Sequence, residues 1–130
     1  MFSKETDKLE TFLGTNSHFK GELSVKGTLR VDGKVEGQLD ADYVILSENA
    51  VVKGGVKAKK IIVGGRVDGD VRALEMVEVK SKGKILGDIY TQELVITEGG
   101  EFNGKVEMKK GETKKDEGKV IGLELRSRDA

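Results

Sequence analysis

The sequence predicts an all-β protein, a single triangular β-solenoid of about six turns with a flexible tail at each end. Three observations predict it. A seven-residue pattern recurs along the chain, polarity alternates with period two inside it, and glycine sits at its third position in each copy. The copies are Phe19–Val25, Val35–Ala41, Val52–Ala58, Val67–Ala73, Ile85–Thr91 and Phe102–Met108.

In each copy an apolar residue is followed by Gly at +2 and by apolar residues at +4 and +6; Thr91 is the one exception. The positions between are polar, apart from Gly55, Leu86 and Tyr90. A period of two places one face of a β-strand inward. The glycines at 21, 37, 54, 69, 87 and 104 share the inward parity. A sharp corner is expected there, where a Cβ would collide with the next turn.

A second apolar run follows each copy from the second to the fifth: Val44-Ile45-Leu46, Ile61-Ile62-Val63, Met76-Val77-Glu78-Val79 and Leu94-Val95-Ile96. Polar or glycine residues end each run, such as Ser47-Glu48-Asn49 and Gly64-Gly65. The glycine intervals are 16, 17, 15, 18 and 17 residues. At ~3.3 Å per residue such a coil makes the perimeter of a small triangle. One coil cannot bury its own apolar row, but stacked coils can. With rungs ~4.8 Å apart, six turns make a rod of roughly 29 Å. The short interval from Gly54 to Gly69 should tighten one corner without breaking the rod. Stacking should also align Lys20, Glu36, Lys53 and Asp68 as alternating charges on an outer face.

Three segments result: a tail over 1–15, the solenoid core over 16–108, and a charged tail over 109–130. Both tails lack a sustained period and are expected to be flexible. Val120-Ile121-Gly122-Leu123-Glu124-Leu125 is the apolar patch of the second tail. It either docks on the core or a partner, or stays a short sticky stretch.

Composition narrows the function. The 23 basic and 23 acidic residues cancel, which argues against a general nucleic-acid binder. With no Cys, thiolate metal sites and Cys nucleophiles are excluded. No apolar run approaches a membrane span, and no secretory signal opens the chain, so a cytoplasmic location is expected. His18 is the sole histidine and reads as an ordinary surface residue. Gly99–Val106 imitates a phosphate-binding loop, but Val106 replaces its Ser or Thr, and Phe102 and Val106 belong to the core pattern. No cofactor, metal or catalytic residue is expected. A hexapeptide-type acyltransferase would need a regular turn length and a histidine on the solenoid. A solenoid binding module would need an aromatic platform on a flat face. Leu86 and Tyr90, the large apolar residues on outward columns, mark either a lateral contact or a partner site.

The glycine-centred strands, the opening Met1-Phe2-Ser3-Lys4 and the segment Thr11-Phe12-Leu13-Gly14 together resemble the bactofilin family over about residues 1–108. That resemblance implies a right-handed β-helix and a bacterial cytoskeletal protein. It implies nucleotide-free polymerisation into non-polar filaments, with copies meeting head to head and tail to tail. It also implies attachment to lipids on the inner face of the cytoplasmic membrane, through the first residues, and scaffolding of cell-wall or morphogenesis proteins.

A solenoid ends in two open rungs, and here no Pro and no evident cap helix blunts them. Phe19 and Phe102 stand in the first and last copies, where the middle copies hold Val or Ile. Large rings there either plug the core or form subunit junctions. The junction reading assigns Phe19, Leu23, Val25 and Leu29 to one end and Phe102, Val106 and Met108 to the other. It expects Phe102→Arg to leave the fold intact and give short oligomers. Met1, Phe2 and Lys4 are the expected membrane-binding residues. One inserted Phe contributes roughly 1.5–3 kcal/mol and one Lys about 1 kcal/mol, so firm attachment needs many tails on one filament.

Overall fold

The computed structural model describes residues 9–116 and 125–127, and every element among them is a β-strand. In order these are β1 Leu9–Leu13, β2 His18–Ser24, β3 Thr28–Val31, β4 Lys34–Asp40, β5 Tyr43–Leu46, β6 Val51–Val63 and β7 Arg66–Asp68. They continue with β8 Val71–Val79, β9 Lys84–Leu86, β10 Ile89–Thr97, β11 Glu101–Asn103, β12 Val106–Asp116 and β13 Leu125–Ser127. All pairings are parallel, as coils stacked on coils require. The fold is a β-solenoid of about six turns.

Each turn has three sides. The first runs into the glycine, the second leaves it, and the third is the second apolar run. In β4 the glycine bends one continuous strand, so Lys34–Glu36 and Gln38–Asp40 lie on different sides. The glycines stack in register as Gly21↔Gly37↔Gly54. All six column glycines have positive φ, from +128° at Gly21 to +159° at Gly104. From Gly37 onward, a Cβ would fall within 3.0 Å of the carbonyl of the column glycine one turn earlier. The collision expected from the sequence is therefore real, and it involves backbone that has nowhere to go.

The uneven intervals reside wholly in the other two corners. The corner after the third side holds two residues at 32–33 and 64–65, but four at 47–50 and 80–83. The four-residue corners are closed turns: Ala50 N–H donates to the Ser47 carbonyl at 3.0 Å, and Gly83 N–H to that of Lys80 at 2.9 Å. The tight corner expected between Gly54 and Gly69 is Gly64-Gly65. The second corner gains a residue in β8, where Leu74 and Glu75 together face the single Lys59.

Inner positions form continuous apolar columns, such as Val35, Val52, Val67, Ile85 and Phe102. Burying each such side chain contributes on the order of 1.5–3 kcal/mol. Thr91 is the polar exception, and its hydroxyl donates to the Glu93 carbonyl at 3.1 Å. Lys20, Glu36, Lys53 and Asp68 are in register as expected. The close contacts of the two acids lie outside that column, however. Glu36 pairs with His18 of the preceding turn at 3.0 Å, and Asp68 with Arg66 of its own strand at 3.1 Å. His18 lies at the start of β2 and is exposed, as a surface residue should be.

Strands extend past the repeat at both ends. β1 falls in the segment read as an N-terminal tail, yet pairs with β3, Leu13 opposite Val31. It carries only a third side, so the glycine corner that marks the repeat is missing from it. β12 runs on to Asp116, and β13 pairs with Val106–Met108. Both extend into the segment read as a C-terminal tail.

Candidate assembly interface

A β-rung with no neighbour exposes two things: a row of unpaired backbone groups and a slice of the apolar core. At the N-terminal end that rung is β2. Among the described residues it pairs with β4 alone, so its outer edge is open. Its inner side chains Phe19 and Leu23, with Val25 just beyond, are half-buried. One turn further in, the same columns hold Val35, Leu39 and Ala41, all buried. The sequence pattern is identical in the two rungs; only the missing neighbour differs. Gly21 shows the same gap, since an added Cβ would meet nothing closer than the Phe19 ring at 3.7 Å.

Leu29 was expected in this group but is fully buried, at 0% exposure. β1 covers it, with Thr11 opposite Leu29. On β1 itself Phe12 is 53% exposed and adds a large apolar side chain to this end.

The C-terminal end is built differently. Phe102 is 1% exposed, Val106 0% and Met108 8%. β13 lies along Val106–Met108. β13 thus covers Val106 and Met108, whereas β11, which carries Phe102, pairs with β9 alone among the described residues. Phe102→Arg would therefore place a charge in the core, and loss of assembly could not be separated from loss of folding. Met1, Phe2 and Lys4 lie outside the described residues.

Among the described residues no group of three or more metal-ligating side chains converges, and no helix is long and apolar enough to cross a membrane. Two carboxyls are held below their usual range: Asp32 by the hydrogen bond from Arg30, and Glu36 by the bond to His18. Both are exposed pairs on outward faces. Sequence reasoning missed β1, β13 and the exposed Leu74. Thr11-Phe12-Leu13 does align with the third-side run Leu94-Val95-Ile96, and that was the available signal for β1.

The chain matches the family described as "Bactofilin: Polymer-forming cytoskeletal" over residues 11–107. It is 36% identical over 99 residues to bactofilin BacP of Myxococcus xanthus (strain DK1622), a match covering 75% of this chain and 41% of BacP. It is 29% identical over 99 residues to bactofilin BacO of the same organism, covering 75% of this chain and 79% of BacO. The chain thus spans about two fifths of the length of BacP. No solved structure matches it.

Proposed function

Because this chain belongs to the bactofilin family of polymer-forming cytoskeletal proteins, we propose that it assembles end to end, without nucleotide, into non-polar filaments on the inner face of the cytoplasmic membrane. There it would scaffold factors for cell shape or the cell wall. The observation that carries the assembly reading is the open rung at β2, with Phe19, Leu23 and Val25 half-buried beside an unpaired strand edge.

A two-fold axis across the rod would set β2 of one copy antiparallel to β2 of the next. Such a contact is isologous: the same patch serves both copies. Six half-exposed side chains then meet, worth roughly 6 kcal/mol in all, while association costs about 4–15 kcal/mol. The apolar slice alone is marginal. Backbone hydrogen bonds along β2, about 0.5–1.5 kcal/mol each, must complete the junction. At the other end the contact is made through β13, with Val106 and Met108 beneath it, and through the outer edge of β11, which carries Phe102 and pairs with β9 alone among the described residues. Two isologous junctions of different kinds give a filament without polarity.

Phe19→Arg tests this without entering a buried site. It should retain a β-rich circular-dichroism spectrum and give short oligomers by negative-stain electron microscopy. Long filaments from that variant would remove the β2 rung from the assembly. The membrane reading rests on Met1, Phe2 and Lys4. A chain lacking residues 1–8 should lose most of its co-sedimentation with anionic vesicles; equal pelleting with and without them rejects it.

A further inference from the structure

The third side breaks the alternation that governs the other two. Val44-Ile45-Leu46, Ile61-Ile62-Val63 and Leu94-Val95-Ile96 are apolar at every position. That is the pattern of a strand covered on both faces. The first and last residue of each run are buried in the core, while Ile45, Ile62 and Val95 between them are only partly buried and face outward. Register stacks them into one outer column that reads Phe12, Arg30, Ile45, Ile62, Glu78, Val95. The outer column of the first side is charged instead, with Lys20, Glu36, Lys53 and Asp68. On the third side the charges are placed by rung. Arg30 pairs with Asp32 at 2.9 Å one rung before Ile45, and Lys80 pairs with Glu78 at 2.9 Å one rung after Ile62. Asp32 and Lys80 follow Val31 and Val79 of one inner column, so they share the next outer column. The two ion pairs are therefore equally far from the midpoint between Ile45 and Ile62, with their signs in opposite order.

We propose that the third side packs against the third side of a second copy, about a two-fold axis that runs along the strands between the rungs of Ile45 and Ile62. That axis sets each outer column against itself and reverses the order of the rungs. Ile45 then meets the partner's Ile62, and Phe12 the partner's Val95. Arg30 meets the partner's Glu78, and Asp32 the partner's Lys80. Apolar residues meet apolar ones, and every facing charge has the opposite sign. One patch serves both copies, so the contact is isologous. A two-fold axis along the rod would instead set Arg30 against the partner's Arg30 and Glu78 against the partner's Glu78, and like charges directly opposite are destabilising. The charge order therefore selects rods that lie side by side and run in opposite directions. A non-polar filament alternates the direction of its copies, so two filaments can repeat this contact along their length. The contact uses none of Phe19, Leu23 and Val25, and stands apart from the end-to-end junction.

The chain has no cysteine, so introduced thiols report proximity without background. Asp32→Cys and Lys80→Cys are combined in one full-length chain, and each is also made alone. Within a chain the two thiols stand three rungs apart, roughly 14 Å, beyond a short bis-maleimide cross-linker; across the contact they face each other. The double variant should give cross-linked dimer on a denaturing gel about tenfold faster than either single variant, the effect of proximity. Adding Glu78→Arg sets Arg30 against a like charge twice and should remove about tenfold of that rate; adding Arg30→Glu as well should return it. On a Phe19→Arg background the cross-link should still form, which separates this contact from the end junction. Dimer from the single variants at the rate of the double variant overturns the proposal, because it means rods running in the same direction. No dimer from the double variant also overturns it, and if Ile62→Glu then lowers pelleting with anionic vesicles, the third side belongs to lipid.

Discussion

The rung of Phe19, Leu23 and Val25 and the rung of Val35, Leu39 and Ala41 carry the same pattern, yet one is half-open and the other closed. In a globular core an apolar residue is buried by side chains from distant parts of the chain. In a solenoid it is buried by its counterparts one turn before and one turn after. Removing a neighbour converts a core residue into a surface residue without changing a letter of the local sequence. At the C-terminal end β13 supplies the neighbour that β2 lacks, and Val106 is closed. An end-on assembly surface in this architecture is a position in the stack, not a composition.

Substitutions that compare equivalent positions test this directly. The largest difference is expected in the glycine column. Gly54 has φ +139° and a Gly37 carbonyl where its Cβ would go; Gly21 has φ +128° and meets only the Phe19 ring, at an ordinary contact distance of 3.7 Å. Gly54→Ala should cost about 2–6 kcal/mol, strain plus collision, and Gly21→Ala about 1–3 kcal/mol, strain alone. Urea denaturation of the two variants measures both. Equal losses would mean that stacking adds nothing to the demand for glycine.

Next come the leucines. Leu39→Ala should cost about 2–5 kcal/mol, and Leu23→Ala less than half of that, because Leu23 is already partly in water. Their effects on assembly should run the other way. Leu23→Ala should shorten filaments under conditions where Leu39→Ala remains folded and does not.

The smallest effect concerns an outward face. Arg30 donates to Asp32 at 2.9 Å and holds its carboxyl below the usual range. The folded state therefore binds fewer protons there than the unfolded one. The stabilisation is complete above the unfolded carboxyl pKa of about 4 and is lost as pH falls through the lower folded value. Arg30→Gln should flatten that acid limb by a few tenths of a kcal/mol, the scale of an exposed pair. A larger change in acid titrations of stability would show that outward faces matter more than the stack suggests.

Much of the fold was legible because its determinants are local and repeated. Parity marks the inner columns, and the glycines at 21, 37, 54, 69, 87 and 104 mark one corner of each turn. The charge column fell into register for the same reason. β1 and β13 were not legible, because neither strand itself contains the glycine-centred pattern. The residues proposed for the junctions share the inner columns, and only stacking separates them: Phe19, Leu23 and Val25 are half-buried, Leu29 lies under β1, and Val106 and Met108 lie under β13. The outer column of Ile45, Ile62 and Val95 was hidden in runs that are apolar throughout, where parity no longer tells inside from outside.

From its letters alone this chain is committed to parallel coils of about 17 residues, since a period of two and a recurring glycine leave its apolar rows no other way out of water. Which of those rows stay open was decided only when the coils stacked. Burial here is set by what lies one rung away, and whether a rung has a neighbour is a property of the finished stack.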